Sequence, residues 1–171
     1  MALALELGLA ADGEREVREI WAALEMVSVP SLATHAFPIR PHVTLTISED
    51  TAGLRGAAAA LRSLVHPVAV ELAAPAFFQA DTPIMHLAVG PSPELISMHG
   101  SIAATLAQSG VEVWPHYLAP AWLPHCTLSM GVPVARLGGA VAVCLRASLP
   151  IATTLADPRL TDLETGETAP L

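Results

Sequence analysis

The chain has 171 residues, of which 53% are hydrophobic and only 14% charged, and its formal net charge is −8. This length and hydrophobic content predict one folded domain with a substantial core, and they exclude a disordered chain. All 8 basic residues are arginine, and the acidic balance excludes a broad basic surface for long nucleic acid. Any recognition of phosphate must therefore be local.

Neither the amino terminus nor the longest uncharged stretch has the pattern of a membrane segment. The opening MALALELGLA has no basic region, and Glu6 interrupts its apolar run, which is not typical of a signal peptide. Residues 113–135 contain no Asp, Glu or Arg, but their prolines each remove a backbone donor that lipid does not replace. We therefore expect a cytoplasmic protein.

The first half of the chain alternates between strand and helix patterns. Leucines at every second position of residues 3–9 predict a strand with one buried face. Asp12 is expected to cap a helix whose apolar face is formed by Val17, Ile20, Trp21 and Leu24. An extended segment around His42 and an alanine-rich helix follow, and then a β-rich run from Pro67 to Phe78, where both phenylalanines are expected in the core. The alanine-rich helix is expected to present Leu54, Leu61 and Leu64 on one stripe.

The second half repeats this order of elements. The segment PIMHLAVG predicts a strand, and Ser92 and Pro93 mark the start of a helix that closes at Gly110. After a proline-rich loop, residues 122–130 predict a strand, and residues 134–146 a weaker helix. The tail predicts a strand and a hairpin turning at Thr165 and Gly166. We interpret the chain as one domain over residues 1–171 with two similar α+β halves, approximately 1–80 and 81–171.

A repeated motif carries the chemistry of this sequence. The pattern Pro-His-x-Thr-Leu occurs at residues 41–45 and again at residues 124–128, once in each half. Side chains two apart on a strand share a face, so each histidine points the same way as the threonine of its motif. Arg40 has the parity of the first histidine and would extend that polar row. If the halves are related by a pseudo-twofold axis, the two rows face each other across a cleft.

Such a set of side chains can support phosphodiester hydrolysis without a metal or another cofactor. His42 and His125 can serve as general base and general acid, because an ordinary imidazole titrates near neutral pH. The hydroxyls of Thr44 and Thr127 can donate hydrogen bonds to the oxygens on which charge accumulates in the transition state. A single histidine in an apolar strand is more often structural than catalytic, but a repeated motif in two predicted strands is not explained in that way.

Two other aromatic residues and five other histidines have weaker claims to a function. Tyr117 lies in the proline-rich loop and is a candidate for stacking on a nucleobase, whereas Trp122 is expected to pack in the core. Loop or surface positions are expected for the histidines that lie outside the motif. These are His35, His66, His86, His99 and His116.

The paired motifs, the opening ALALELGL and the closing hairpin resemble the 2H (two-histidine) phosphoesterases, particularly bacterial 2′-5′ RNA ligase-like proteins. This resemblance implies a bilobal α+β fold in which antiparallel sheets line a central cleft and helices lie outside. It also implies hydrolysis of 2′,3′-cyclic phosphates, or the reverse 2′-5′ ligation. The catalytic residues of the family map onto His42, Thr44, His125 and Thr127, and the resemblance implies His42 as acid and His125 as base.

The expected partner is a small nucleotide or an RNA terminus that carries a cyclic phosphate. We expect Arg40 and Tyr117 to contact this substrate, and we expect a monomer with no membrane partner. Family members that act on RNA usually carry Lys and Arg around the cleft, and the absence of lysine here argues against long RNA substrates.

Two alternatives remain open at the level of sequence. One is a metal site built from His42, His125 and a further histidine such as His116, although neither motif has an acidic residue nearby in the sequence. The other is a non-catalytic module on the same fold that binds a nucleotide or phosphate. Cys126 and Cys144 lack metal-ligand and redox spacing, so we expect buried thiols.

Overall fold

The computed structural model describes residues 1–171 and has an α+β fold with seven strands and four helices. The first half contains β1 (Leu3–Leu9), α1 (Ala11–Met26), β2 (His42–Ser48), α2 (Thr51–Arg62) and β3 (Val68–Phe78). The second half contains β4 (Ile84–Val89), α3 (Pro93–Gln108), β5 (His125–Ser129), α4 (Leu137–Arg146), β6 (Ile151–Asp162) and β7 (Thr168–Pro170). Short 3-10 turns lie at Leu32–Thr34, Pro115–Tyr117 and Val134–Arg136.

The strands form one antiparallel sheet in the order β2-β1-β6-β3-β4-β5, and β7 pairs with β6. Strand β6 is long enough to join the two ends of this order, because residues 151–155 pair with β3 and residues 155–162 pair with β1. Although β2 and β5 are the two edges of this order, they contact each other. The sheet is therefore curved so that the two motif strands meet.

Helix α1 packs on β6 and β5 and supplies the largest fully buried side chain, Trp21. At Gly13 the helix approaches β6 so closely that a β-carbon would collide with the side chain of Thr153. Glycine at this position is what permits the close approach of helix and sheet. The hydrophobic core includes the buried leucines of β1, together with Val43 and Leu45 of β2.

Most predicted elements are confirmed, and the differences occur at their ends. Helix α1 begins at Ala11 with Ala10 as its cap residue, so Asp12 lies inside the first turn and does not cap the helix. Helix α2 ends at Arg62, and Leu64 therefore lies beyond it. Strand β5 begins at His125, three residues later than expected, because Pro124 has no backbone N–H to add to the ladder.

Several side chains differ from their expected burial. Phe77 is 37% exposed and does not belong to the core, and Phe78 is half-buried beside the second motif. His86 and His99 are only 4% and 3% exposed, so the expectation of surface positions is wrong for both. His86 alternates with the buried Met85 and Leu87 of β4, and its own side chain faces the opposite side of the strand. No helix combines the length and apolar character needed to cross a membrane.

Candidate active site

The two motif strands begin in the same way, and the proline of each motif explains how. The amide of Leu9 donates to the carbonyl oxygen of Pro41 at 3.2 Å, and the amide of Val89 donates to that of Pro124 at 3.0 Å. Each proline thus joins the edge of the sheet as an acceptor while offering no donor. The following residue is a motif histidine in both lobes, so the two imidazoles leave the sheet at equivalent points.

Both motif histidines are held by a main-chain carbonyl two residues earlier. Nδ1 of His42 lies 2.7 Å from the oxygen of Arg40, and Nδ1 of His125 lies 2.7 Å from the oxygen of Leu123. A carbonyl oxygen only accepts, so Nδ1 must carry the hydrogen in each ring. This leaves Nε2 of each imidazole as the atom that can accept or donate a proton.

The motif threonines are fixed from the other side of the fold by two tryptophans. The indole nitrogen of Trp122 donates to the carbonyl oxygen of Thr44 at 3.0 Å, and that of Trp21 donates to the carbonyl oxygen of Thr127 at 3.3 Å. Trp122 is buried and stacks on His99 with ring centroids 3.9 Å apart. The expectation that Trp122 packs in the core is confirmed, and its indole also braces the first motif strand.

His125 is half-buried and packs against two aromatic rings. Burial lowers its pKa, opposed by the hydrogen bond to Leu123, and the charge of His42 lowers it further. The rings of Phe78 and His86 contact it with centroid distances of 4.8 Å and 5.0 Å. These two rings stack on each other at 4.1 Å and form an aromatic cover over one side of His125.

His86 is itself unusual, because it is buried and Nδ1 of its ring has no hydrogen-bond partner. Burial, followed by the charge of His125, lowers the pKa of His86 to about 4. It is therefore neutral at physiological pH, and two adjacent imidazolium charges do not arise on this side of the cleft.

His42 has a carboxylate as its neighbour. Oε1 of Glu6 lies 3.4 Å from Nε2 of His42, and Oε2 of the same carboxylate accepts a 2.7 Å hydrogen bond from the hydroxyl of Thr161. Burial and the charge of Glu6 raise the pKa of Tyr117 to about 12, against an opposing effect of the Thr44 side chain. The phenol of Tyr117 thus lies on the His42 side of the cleft and stays neutral.

The structure brings the four motif residues together on the two meeting strands. Tyr117 lies next to them, but the guanidinium of Arg40 turns to Glu14 at 2.8 Å and to Asp157 at 3.1 Å. Arg40 contributes its carbonyl oxygen, which accepts the hydrogen bond from Nδ1 of His42.

Sequence reasoning missed Glu6 and His86 as residues of the site. Both are polar residues within apolar strands, and that signal is visible in LALELGL and in IMHLAV. Their contact with the motifs depends on strand register, which pairs Glu6 with Thr44 and His86 with Thr127.

The alternative of a metal site is not supported by the arrangement of the side chains. No three or more His, Cys, Asp or Glu residues are placed where they could hold one ion. His116 is exposed on the 3-10 turn and does not join the motif histidines. Cys126 and Cys144 are buried free thiols, and burial raises the pKa of Cys126 to about 12.

Comparison with known proteins agrees with this fold, which is that of the two-histidine phosphoesterases. A model of the 2′-5′ RNA ligase superfamily matches residues 16–161, and the chain belongs to that superfamily. A search of curated protein sequences gives no match.

Solved structures show the same fold over nearly the whole chain at low sequence identity. E. coli LigT in its apo form is 18% identical with a TM-score of 0.59, over 99% of this chain and 94% of that one. E. coli LigT complexed with 3′-AMP is 14% identical with a TM-score of 0.61, over the same shares of the two chains. Kluyveromyces marxianus Usb1 with uridine monophosphate is 13% identical with a TM-score of 0.59, over 99% of this chain and 97% of that one.

Proposed function

We propose that this protein hydrolyses 2′,3′-cyclic phosphates of small nucleotides or RNA ends, with His42 and His125 as the acid and base. The observation that carries this proposal is the matched anchoring of the two imidazoles. Each is held through Nδ1 by a carbonyl oxygen, and each stands on one of the two edge strands that contact each other. A phosphodiester between them would meet a proton acceptor on one side and a proton donor on the other.

In the proposed reaction, a water oxygen attacks the phosphorus atom while one imidazole takes a proton from that water. The bond between phosphorus and the 2′- or 3′-oxygen breaks, and the other imidazole protonates the leaving oxygen. The threonine hydroxyls donate hydrogen bonds to the non-bridging oxygens as their charge increases. Both proton transfers are supplied by side chains, so the mechanism needs no cofactor.

Several observations favour a nucleotide as the substrate. The fold relatives named above were solved with 3′-AMP and with uridine monophosphate. The net charge of −8 favours recognition of one phosphate over recognition of a long backbone. Tyr117 at the side of the cleft and Arg40 at its rim remain our predictions for substrate contacts, and Tyr117 has the better position.

The test is turnover of a panel of 2′,3′-cyclic mononucleotides and short cyclic-phosphate RNAs with EDTA present. We expect wild-type hydrolysis, and we expect His42→Ala and His125→Ala each to lower the rate by roughly 10² to 10⁴-fold. His66→Ala is a matched control, since this histidine is exposed and lies outside the cleft. Its rate should equal that of the wild type.

Three results would contradict the proposal. Activity that EDTA abolishes and a divalent ion restores would refute a metal-independent mechanism. Near wild-type rates in either motif variant would refute the role of that histidine. Saturable binding of the cyclic nucleotides without any turnover would identify a non-catalytic binding module.

A further inference from the structure

The two motifs have the same sequence pattern, but the residues paired with them on the neighbouring strands differ. Glu6 of β1 is in register with Thr44, and His86 of β4 occupies the corresponding position opposite Thr127. Two residues further along these strands, Gly8 lies opposite His42 and Ala88 lies opposite His125. The residue paired with the motif threonine is therefore acidic at the first motif and a histidine at the second.

Glu6 places negative charge beside the atom of His42 that would exchange a proton. Its carboxylate is 13% exposed, lies 3.4 Å from Nε2 of His42, and is oriented by the hydroxyl of Thr161. An opposite charge at this distance favours the imidazolium form of a histidine. This environment suits a residue that must hold a proton until the leaving oxygen needs it.

Phe78 and His86 do the opposite for His125. Their stacked rings cover the imidazole, and burial is the largest cause of its lowered pKa. The ring of His86 covers this side of His125. Because burial lowers the pKa of His86 to about 4, this ring is neutral and offers no counter-charge to His125. This environment suits a residue that must be unprotonated when water enters.

We propose, on the basis of the function proposed above, that Glu6 and the Phe78–His86 pair are positioning residues that give the two motif histidines different roles. Glu6 sets a carboxylate 3.4 Å from Nε2 of His42, the proposed acid, and the aromatic pair covers the ring of His125, the proposed base. Acid and base roles are generally separated by environments that favour opposite protonation states. Glu6 lies on β1 and His86 on β4, the strands that pair with the two motif strands, and Phe78 lies on β3, which pairs with β4.

The assignment gives a balanced step. Nε2 of His125 takes one proton from the attacking water, and the oxygen of that water forms the new bond to phosphorus. The bond from phosphorus to the leaving ribose oxygen breaks, and that oxygen receives the proton from Nε2 of His42. The product is a phosphomonoester with a free neighbouring hydroxyl, and solvent returns the proton from His125 to His42.

The other titratable groups near the two imidazoles do not change this assignment. His42 faces Glu6 from β1, His125 from β5 and the neutral phenol of Tyr117 from the 3-10 turn. His125 faces His42 from β2 and His86 from β4. On the adjoining rim of β6, the charges of Asp157 and Arg159 are paired at 2.8 Å.

The experiment compares the pH dependence of kcat/KM for Glu6→Gln with that of the wild type, on a 2′,3′-cyclic nucleotide and on a p-nitrophenyl phosphodiester. Loss of the carboxylate should move the alkaline limb for the cyclic nucleotide to lower pH by about one unit. Above neutrality the rate should then fall about 10-fold. With p-nitrophenolate, which leaves without a proton, the loss should stay below about 3-fold. Glu71→Gln, at an exposed position of β3, is the matched control.

Two further variants separate a role in proton transfer from a role in folding. Glu6→Asp keeps the charge and should recover part of the alkaline limb. Phe78→Ala admits water to His125 and should move the acidic limb to higher pH on both substrates, since the base would then bind its proton more readily.

The outcomes separate this inference from the proposed function. A wild-type protein that turns over neither substrate refutes the function and this inference with it. Wild-type turnover together with an unchanged alkaline limb in Glu6→Gln refutes the role of Glu6 alone. Equal losses on both substrates would show that Glu6 supports the structure of the site and not the acid. A Glu6→Asp variant no better than Glu6→Gln would refute a role for its charge.

Discussion

At the scale of residues, the proposed phosphate site depends on the hydroxyls of Thr44 and Thr127 as well as on the two histidines. Both side chains are half-buried, whereas the residues on either side of each threonine are buried. Their carbonyl oxygens are occupied by indole donors. The main chain at each threonine is therefore fixed, and the hydroxyl remains as the group that can meet a ligand.

We expect Thr44→Val and Thr127→Val to fold and to lower kcat by about 10²-fold each, the loss typical for one oxyanion donor. Thr46→Val is the matched control on the same strand, because its hydroxyl is buried without a hydrogen-bond partner. Replacing that hydroxyl with a methyl group should leave turnover unchanged and should not destabilise the protein. Steady-state kinetics and urea denaturation measure the two effects. Unchanged kcat in both motif variants would make these threonines ordinary strand residues.

The motif residues could be predicted from the sequence because the pattern occurs twice and each copy lies in a strand. Glu6 and His86 could not be predicted as site residues, because the motif histidines they contact are about 36 and 39 residues away in the chain. A shift of one residue in strand register would also turn both side chains to the opposite face. The burial of His99 could not be predicted either. It depends on the loop between α3 and β5, which folds back so that Trp122 stacks on His99 and the carbonyl oxygen of Tyr117 lies beside its ring.

At the scale of elements, the two tryptophans connect the lobes. Trp21 belongs to α1 and donates to β5, whereas Trp122 precedes β5 and donates to β2. Trp21 therefore ties α1 to the second motif strand, and Trp122 ties the segment before β5 to the first motif strand.

The periodicity of the sequence predicted the strands and helices, but their ends depended on proline and on capping. Pro124 delays the start of β5, and Ala10 precedes α1 without any side-chain cap.

We expect Trp122→Phe to lower the free energy of unfolding by about 1 to 3 kcal/mol, from the lost hydrogen bond and the smaller ring. It should also lower kcat, since Thr44 loses the donor that fixes its main chain. Trp21→Phe should have the same effects through Thr127. Trp114→Phe is the control, because this side chain is 37% exposed and makes no such bond. Chemical denaturation followed by circular dichroism gives the stabilities. A Trp122→Phe variant with wild-type stability and kcat would contradict the bracing role.

At the scale of the whole molecule, charge decides which substrates the cleft can hold. The arginines nearest the cleft are largely neutralised within the protein, since Arg40 pairs with Glu14 and Asp157 and Arg159 pairs with Asp157. With a net charge of −8 over 171 residues, the remaining surface repels a polyanion. The proposed phosphate site thus belongs to a protein whose net charge is negative, and its nearest arginines are already paired.

The last prediction is that turnover depends weakly on RNA length and on salt. For a single-stranded substrate, the logarithm of the affinity falls with the logarithm of the salt concentration, with a slope of about −0.7 per phosphate neutralised. Contact with one or two phosphates therefore gives a slope between about −0.7 and −1.4. We compare a dinucleotide and a 12-nucleotide RNA that both end in a 2′,3′-cyclic phosphate. Their values of kcat/KM should agree within about 3-fold. The measurement is the salt dependence of kcat/KM for both substrates at constant pH. A strong preference for the longer RNA, with a slope steeper than about −3, would show that the protein binds an extended backbone despite its acidic surface.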